Sequence, residues 1–283
     1  MNVDIQLGEP RIFSLDPRLT GEDLLRRAEE RKTASLGTGI GGLLQRPKSE
    51  DVVLVATQRR LEPFWHVACH AHYVYDRTRT YTIPSSAPDV RAVTLLGEDF
   101  AVVQSGKAPA AFAVSLMEHC TDDIRDEVFV DGQTGAAVGN AATLISGPRT
   151  EVTDPATLGA DETIVVPPEQ RASAIVRQLL AKMLRPLQAD TVHEEALAMD
   201  HIELFYRPIV AYEFHLPAKD RRGVVEVDAL TGEVKTATSL KMQITRRVSR
   251  DALFDIGADT VGLLVPGGSI AVKLVRVALD KGY

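Results

Sequence analysis

The sequence predicts an α+β protein made of two related small modules, each an antiparallel sheet packed by a helix, with a helical arm before them and an apolar helix after them. Three observations carry this prediction. The phrase Val130-Asp131-Gly132-Gln133-Thr134-Gly135 returns as Val227-Asp228-Ala229-Leu230-Thr231-Gly232, each time after a valine-rich stretch. Apolar and polar side chains alternate from residue 64 to 75, which is typical of a strand with one face in a core. Apolar residues recur every three or four positions after Pro167-Pro168, which indicates a helix.

Residues 1–48 are expected to form the helical arm and a glycine-rich link. Thr20 followed by Asp23 is typical of a capped helix start, and the helix should end near Gly37. The run from Gly37 to Gly42 satisfies the pattern G-x-G-x-x-G. A dinucleotide site needs a strand before this pattern and a helix after it, whereas here a charged helix precedes it. We therefore interpret the run as a flexible link.

The first module, residues 49–150, is predicted around a central strand from Phe64 to Tyr75. One face of this strand is apolar and carries Trp65, Val67, Cys69, Ala71, Tyr73 and Tyr75. A polar turn at 76–79 is expected to lead into a returning strand at 80–83, and residues 110–119 are predicted to be a helix. The aromatic residues around Trp65 are interpreted as core, with an exposed recognition platform as the alternative.

The second module, residues 151–245, is predicted to contain two helices and a hairpin. One helix follows Pro167-Pro168, and a second covers residues 191–204. The hairpin has strands at 209–216 and 224–227, joined by a charged turn.

An internal offset of 145 positions relates the two predicted hairpins, since it sets Pro63 on Pro208 and His70 on His215. The repeated phrases, which begin at Val130 and Val227, are only 97 positions apart. The first copy is therefore expected to carry an insertion.

The hairpin of the second module, within residues 205–236, resembles the PepSY-type module. That family has a helix, a strand, a turn and a second strand that ends in V-D-x-x-T-G-x-V, which is matched here from Val227 to Val234. Residues 63–83 with 128–138 match it in part. The phrase is explained by turn chemistry, because Asp can cap its own turn, Thr bonds nearby backbone and Gly supplies a positive φ. The resemblance implies a small α/β sheet used as a binding, inhibitory or propeptide-like module.

The C-terminal segment, residues 246–283, is interpreted as a docking element. Its apolar stretch is interrupted at Pro266-Gly267-Gly268, and each piece is too short to cross a hydrocarbon core of about 30 Å. The piece after the break is predicted to be a helix that presents Ile270, Leu274 and Val277 to a protein partner or to another copy of the chain.

Composition narrows the function classes. A net charge of −7, from 32 basic and 39 acidic side chains, provides no broad cationic surface for nucleic acid. Two cysteines, Cys69 and Cys120, cannot make a disulfide scaffold, and the N-terminus does not have the features of a signal peptide. These observations favour a cytoplasmic protein.

The densest group of metal-capable residues lies in the central strand, where His66, His70 and His72 share one face. Such imidazoles could bind zinc, and a solvated or partner-facing histidine stripe is the alternative. The pattern H-E-x-x-H fails after His193 because Leu197 occupies its last position. We therefore expect a non-enzymatic binding or structural subunit that assembles with itself or a protein partner. A metal-dependent hydrolase that uses the three histidines, or a regulator of a peptidase or ATPase, remains the alternative.

Overall fold

The structure, a computed structural model, describes residues 4–36, 47–104, 106, 108–159, 162–184, 186–237, 239–240 and 250–254, and the backbone of 273–276. In chain order the helices and strands are β1 (Asp4–Leu7), β2 (Arg11–Leu15), α1 (Gly21–Ser35), β3 (Val53–Pro84), β4 (Ala92–Leu95), β5 (Glu98–Ala101), β6 (Ala111–Asp131), α2 (Ala141–Ile145), β7 (Arg149–Glu151), β8 (Ile164–Val165), α3 (Ala172–Met183), β9 (Thr191–Leu216), β10 (Arg221–Asp228), β11 (Val234–Ala237), α4 (Arg250–Leu253) and β12 (Lys273–Arg276).

Ten of these strands join in one mixed sheet, and β4 pairs with β5 in a second, two-stranded one. The two longest strands, β3 and β9, lie antiparallel at its centre and pair from Val53 opposite His215 to Asp76 opposite Thr191. β6 follows the other edge of β3, while β1, β2 and β10 share the other edge of β9. The predicted fold class is therefore wrong, because the chain is mostly β and its halves share one sheet instead of forming two helix-packed modules.

The helix predicted over residues 191–204 is wrong, because this stretch is the first half of β9. Leu197 and Met199 are buried, Asp200 is the extra residue of a β-bulge, and Ile202 and Leu204 are buried after it. The bulge moves the buried positions from odd to even numbers. The alternation of buried and exposed residues, with its period of two, is thereby interrupted in the sequence. The distance of three positions from Met199 to Ile202 is then typical of a helix.

The turn predicted at 76–79 and the helix predicted at 110–119 are also wrong, because β3 and β6 run through both segments. Residues 76–83 contain no glycine, asparagine or proline that would favour a tight turn. Their side chains instead bond side chains of β6, where Arg77 donates to Glu118 and Thr80 bonds Ser115.

The helix predicted in the C-terminal segment is wrong over residues 273–276. This stretch is strand β12, which pairs with β1.

The helices α1 and α3 confirm the predicted positions. Thr20 caps α1 by accepting a hydrogen bond from the backbone N–H of Asp23 at 3.2 Å. The N-terminal region is more than a helical arm, however, since β1 and β2 both pair with β9. The strand predicted at 64–75 lies within β3, and all six residues of its apolar face are buried.

Each helix covers the hairpin that the other half of the chain supplies. α1 precedes β3 in the chain but packs against β10 and β11, where Leu24 contributes to a cluster with Val225. α3 precedes β9 but packs against β3 and β6, where Leu180 contributes to a cluster with Trp65. Leu204 of β9 belongs to the cluster with α3, and Tyr212 of β9 belongs to the cluster with α1. Both residue numbers are even, so the two side chains point to the same face of the sheet. Both helices therefore lie on this face, called the core face here.

The repeated phrase forms the same turn twice, as its composition predicts. Asp131 accepts hydrogen bonds from the backbone N–H groups of Gln133 and Thr134. In the second copy Asp228 accepts from the N–H groups two and three residues on, at 2.7 and 3.1 Å. Gly135 and Gly232 have φ values of +75° and +72°.

Each turn also binds the chain that enters a helix. The carbonyl of Gly132 accepts from the N–H groups of Glu169 and Gln170, just before α3. The carbonyl of Ala229 accepts from two N–H groups just before α1, those of residues 18 and 19. The phrase therefore anchors each helix on the hairpin that it covers.

The strand register accounts for the two offsets in the sequence. The 145-residue offset takes Phe64 to Ile209, and these residues pair with Asp131 and Asp228, which open the two turns. The chain between Phe64 and Asp131 is 48 residues longer than that between Ile209 and Asp228, which is the difference between 145 and 97. The extra length lies in the extension of β3 and β6 and in the residues that join them. Homology of the two hairpins stays a prediction.

Candidate functional site

The face of the sheet opposite the core face carries the histidines, and we call it the histidine face. In β3 it displays His66, His70 and His72, which alternate with buried residues of the core face. Part of this face is covered by α2, whose Leu144 packs in a cluster with Phe64 and Phe205. Beyond that cluster His70 and His72 are partly exposed.

Every one of the seven histidines lies beside a carboxylate. The pairs are His66 with Glu203, His70 with Asp200, His72 with Asp123, His119 and His193 with Asp76, His201 with Glu203, and His215 with Asp220. The three histidines grouped by the sequence thus bond three different carboxylates, at 3.0, 2.8 and 2.6 Å. Sequence reasoning placed them correctly on one face, but it did not identify their partners.

Glu203 is a buried carboxylate on this face. Its side chain is 4% exposed, and it lies opposite His66 where β9 pairs with β3. One carboxylate oxygen lies 3.0 Å from Nδ1 of His66, and the other lies 3.3 Å from Nδ1 of His201 and accepts a hydrogen bond from Arg11 of β2. The ring of His66 stacks on Phe129 at a centroid distance of 4.4 Å, which fixes its plane.

The charges at this centre favour an ionised carboxylate. Burial by itself would raise the pKa of Glu203, but the imidazoles of His201 and His66 and the guanidinium of Arg11 hold this pKa well below its usual range. The Glu203 carboxylate in turn raises the pKa of His201, against the opposing effect of partial burial. The sequence offered one weak signal for this centre, a single Glu between the apolar residues Ile202 and Leu204.

Cys69 is a core residue and not a reactive thiol. Burial and then the charges of Asp126 and Asp200 raise the pKa of its thiol to about 12, so that it stays protonated at neutral pH.

Two of the three predicted docking residues, Ile270 and Val277, lie outside the described residues, and the third, Leu274, lies in β12. The run from Gly37 to Gly42 also lies outside the described residues.

A small cleft lies on the histidine face beside the two turns. Arg207 has guanidinium nitrogens 3.4 Å from Asp131 and 3.9 Å from Asp228, so one cation serves both turn aspartates. The cleft beside Arg207 is lined by Glu62, Ile209, Glu226, Asp228, Glu233 and Lys235. Its volume of about 20 Å³ accommodates roughly one water molecule.

A second feature is an extension of β3 and β6 beyond the rest of the sheet. β9 ends its pairing at Asp76, but residues 77–84 remain paired with 111–118 for eight more positions, about 26 Å of strand. We call these two segments and residues 85–110 between them the projecting hairpin. Its large exposed apolar side chains are Tyr81, Ile83, Leu95, Leu96, Val103, Leu116 and Met117.

No helix in the described part of the chain is long and apolar enough to span a membrane. Comparison with protein-family models, with curated proteins and with solved structures gives no match to this chain. The resemblance to PepSY-type modules therefore stays a prediction, and the function has to be inferred from the geometry above.

Proposed function

We propose that this protein is a non-enzymatic structural subunit whose copies assemble through the projecting hairpin. The observation that carries the proposal is the uncovered apolar surface of this hairpin on a strand with a free edge. Groups of large exposed apolar side chains are typical of interaction sites.

Part of the apolar surface of the projecting hairpin lies on the same side of the sheet as the core face. Tyr81, Ile83 and Leu116 are on this side of the strands, and each is more than one third exposed. Phe112 and Val114 are on the same side but are buried, and Phe100 of β5 packs near Phe112. The tip ends in Leu96, which is 97% exposed and has a φ of +53°, an unfavourable conformation for leucine.

The free edge of β6 supports a strand-to-strand contact. Among the described strands β6 pairs only with β3, apart from bridges at its two ends. Residues 111–117 of this edge contain no charge, whereas residues 118–127 contain six Asp, Glu or Arg side chains. Charges on an edge strand prevent edge-to-edge pairing, so only the uncharged part of β6 is suited to it.

The hydrogen-bonding pattern of β6 limits the possible registers. Ala111 exchanges both of its backbone hydrogen bonds with Val103, and Phe129 and Asp131 bond outward at the other end, so odd-numbered residues direct N–H and C=O to the free edge. Within the uncharged part these are Ala113, Ser115 and Met117. We place the two-fold axis at the middle one, because an antiparallel pairing of two copies centred there uses all three residues and brings Ser115 opposite Ser115.

Size-exclusion chromatography with light scattering over a concentration series tests the proposal. We expect the wild-type chain to form a dimer and the Ser115→Pro variant to be a monomer, because proline removes an outward N–H without removing a hydrogen bond to β3. Asp123→Pro is the matched control, since it makes the same change in the charged part of the edge and should leave the dimer intact. A wild-type monomer at every concentration, or a Ser115→Pro dimer, contradicts the proposal. Far-UV circular dichroism checks that both variants are folded.

A further inference from the structure

Three potential metal ligands meet at Glu203. His66, His201 and Glu203 each offer one ligand atom, and these atoms lie within 4.8 Å of one another. His66 is opposite Glu203 in the pairing of β3 with β9, and His201 is two residues from Glu203 on the same face. The group therefore rests on the two central strands of the sheet and not on a loop.

The spacing of these atoms suits a tetrahedral ion. Zinc bonds to imidazole nitrogen and carboxylate oxygen are about 2.0–2.2 Å long, which places neighbouring ligand atoms roughly 3.3 Å apart. One oxygen of Glu203 lies 3.0 Å from Nδ1 of His66, and the other lies 3.3 Å from Nδ1 of His201. One ligand atom from each of the three residues lies within 4.8 Å of the other two. An ion could replace the protons between these atoms with small side-chain shifts.

Two further observations indicate a ligand at this point. Nδ1 of His201 is buried and lies 3.3 Å from Glu203 without the geometry of a hydrogen bond, so an ion between the two atoms would satisfy both. The other ring nitrogen of His66, Nε2, lies 3.2 Å from Glu127. A carboxylate behind an imidazole in this way orients the ring and increases its basicity in known metal sites.

We infer that His66, His201 and Glu203 form a binding site for Zn²⁺, with two imidazoles and one carboxylate as ligands. Two histidines and a glutamate are an established ligand set for this ion. The imidazole of His201 is 43% exposed on the histidine face, which gives the ion an entry path. The site is separate from the projecting hairpin, so the inference does not depend on the proposed assembly.

Arg11 is expected to lower the affinity of the site for Zn²⁺. Its guanidinium donates to the same carboxylate, so it competes with a cation for Glu203. Arg11→Met should therefore bind Zn²⁺ more tightly than the wild type does. Glu127→Gln should weaken binding by roughly 10- to 100-fold, as loss of an outer carboxylate does at other metal sites.

Isothermal titration of metal-free protein with ZnCl₂, with the protein purified without a histidine tag, tests the inference. We expect one Zn²⁺ per chain in the wild type and an affinity at least about 100-fold lower in His201→Phe, which keeps the ring contact with His66 but removes a ligand. His70→Phe is the matched control on the same face and should bind within about twofold of the wild type, because His70 lies outside the group.

Co²⁺ absorption in the visible range provides a second readout, since the ligand set determines its spectrum. Absence of stoichiometric Zn²⁺ binding by the wild type contradicts the inference. Equal losses in His201→Phe and His70→Phe contradict it as well, because they would place the ion on the histidine stripe at large. Thermal unfolding of each metal-free variant shows whether an observed loss reflects the ligand or the fold.

Discussion

Replacement of Asp228 by alanine is the sharpest perturbation of the fold, because this side chain organises the second turn. Its carboxylate is 8% exposed. Oδ1 accepts hydrogen bonds from the backbone N–H groups of Leu230 and Thr231, and Oδ2 lies 3.9 Å from Arg207. The same turn fixes the chain that enters α1 through the carbonyl of Ala229. Loss of the carboxylate should therefore loosen both the turn and the helix.

The expected magnitude follows from these contacts. Two hydrogen bonds to a carboxylate and a buried N–H left without an acceptor amount to about 3 kcal/mol in the free energy of unfolding of Asp228→Ala. Asp228→Asn keeps an oxygen in the Oδ1 position and loses only the charge beside Arg207, so it should cost about 1 kcal/mol. The difference between the two free energies of unfolding measures the contribution of the hydrogen bonds within the turn.

Urea unfolding followed by tryptophan fluorescence and by circular dichroism measures both variants. Trp65 is the one tryptophan of the chain and is fully buried in β3, in the other half of the sheet from Asp228. Because the halves share one sheet and exchange helices, both signals should shift to lower urea together. Equal losses in the alanine and asparagine variants, or a fluorescence midpoint that does not move in Asp228→Ala, would refute the reasoning.

Three further predictions concern packing and pH. A Cβ added at Gly223 would lie 2.5 Å from the backbone of Ser35, so Gly223→Ala should lower the free energy of unfolding in urea by roughly 2 kcal/mol or more, and an unchanged midpoint would contradict this contact. Phe205 has ring centroids 5.1 and 5.3 Å from two neighbouring phenylalanines, so Phe205→Ala should cost roughly 3–5 kcal/mol and Phe205→Leu clearly less in the same assay. Burial would raise the pKa of Asp131, but hydrogen bonds from residues 134 and 133 and the charge of Arg207 lower it overall. Its contribution to stability should then be complete above about pH 4 and lost as the pH falls through the lowered value, so thermal melts of wild type and Asp131→Asn should converge in acid, and a constant gap would contradict the shift.

Local patterns in the sequence predicted what local chemistry determines. The turn phrase, the capped start of α1 at Thr20, the helix after Pro167-Pro168 and the alternation around Trp65 are all present in the structure. Each depends on residues within one turn or one strand of each other. The greater length of the first hairpin was predictable as well, since it follows from two offsets that disagree.

Long-range pairing was not predictable in the same way. One extra residue at Asp200 concealed the strand period of β9, and the choice between helix and strand was then decided wrongly. The helix α1 covers β10 and β11, and α3 covers β3 and β6. This exchange depends on contacts between distant parts of the chain, which local patterns do not predict. The Glu203 centre joins Arg11, His66 and His201, which are far apart in sequence, and no spacing rule connects them.

The central claim is that two copies of the chain meet at Ser115, and a disulfide tests it most directly. Paired residues in this register have Cα atoms about 5.5 Å apart, which suits a disulfide. In a Cys120→Ser background, Ser115→Cys should give a covalent dimer on mild oxidation, seen by non-reducing electrophoresis, while Asp123→Cys should stay monomeric. Absence of the dimer in Ser115→Cys, or equal cross-linking of both variants, would contradict the account.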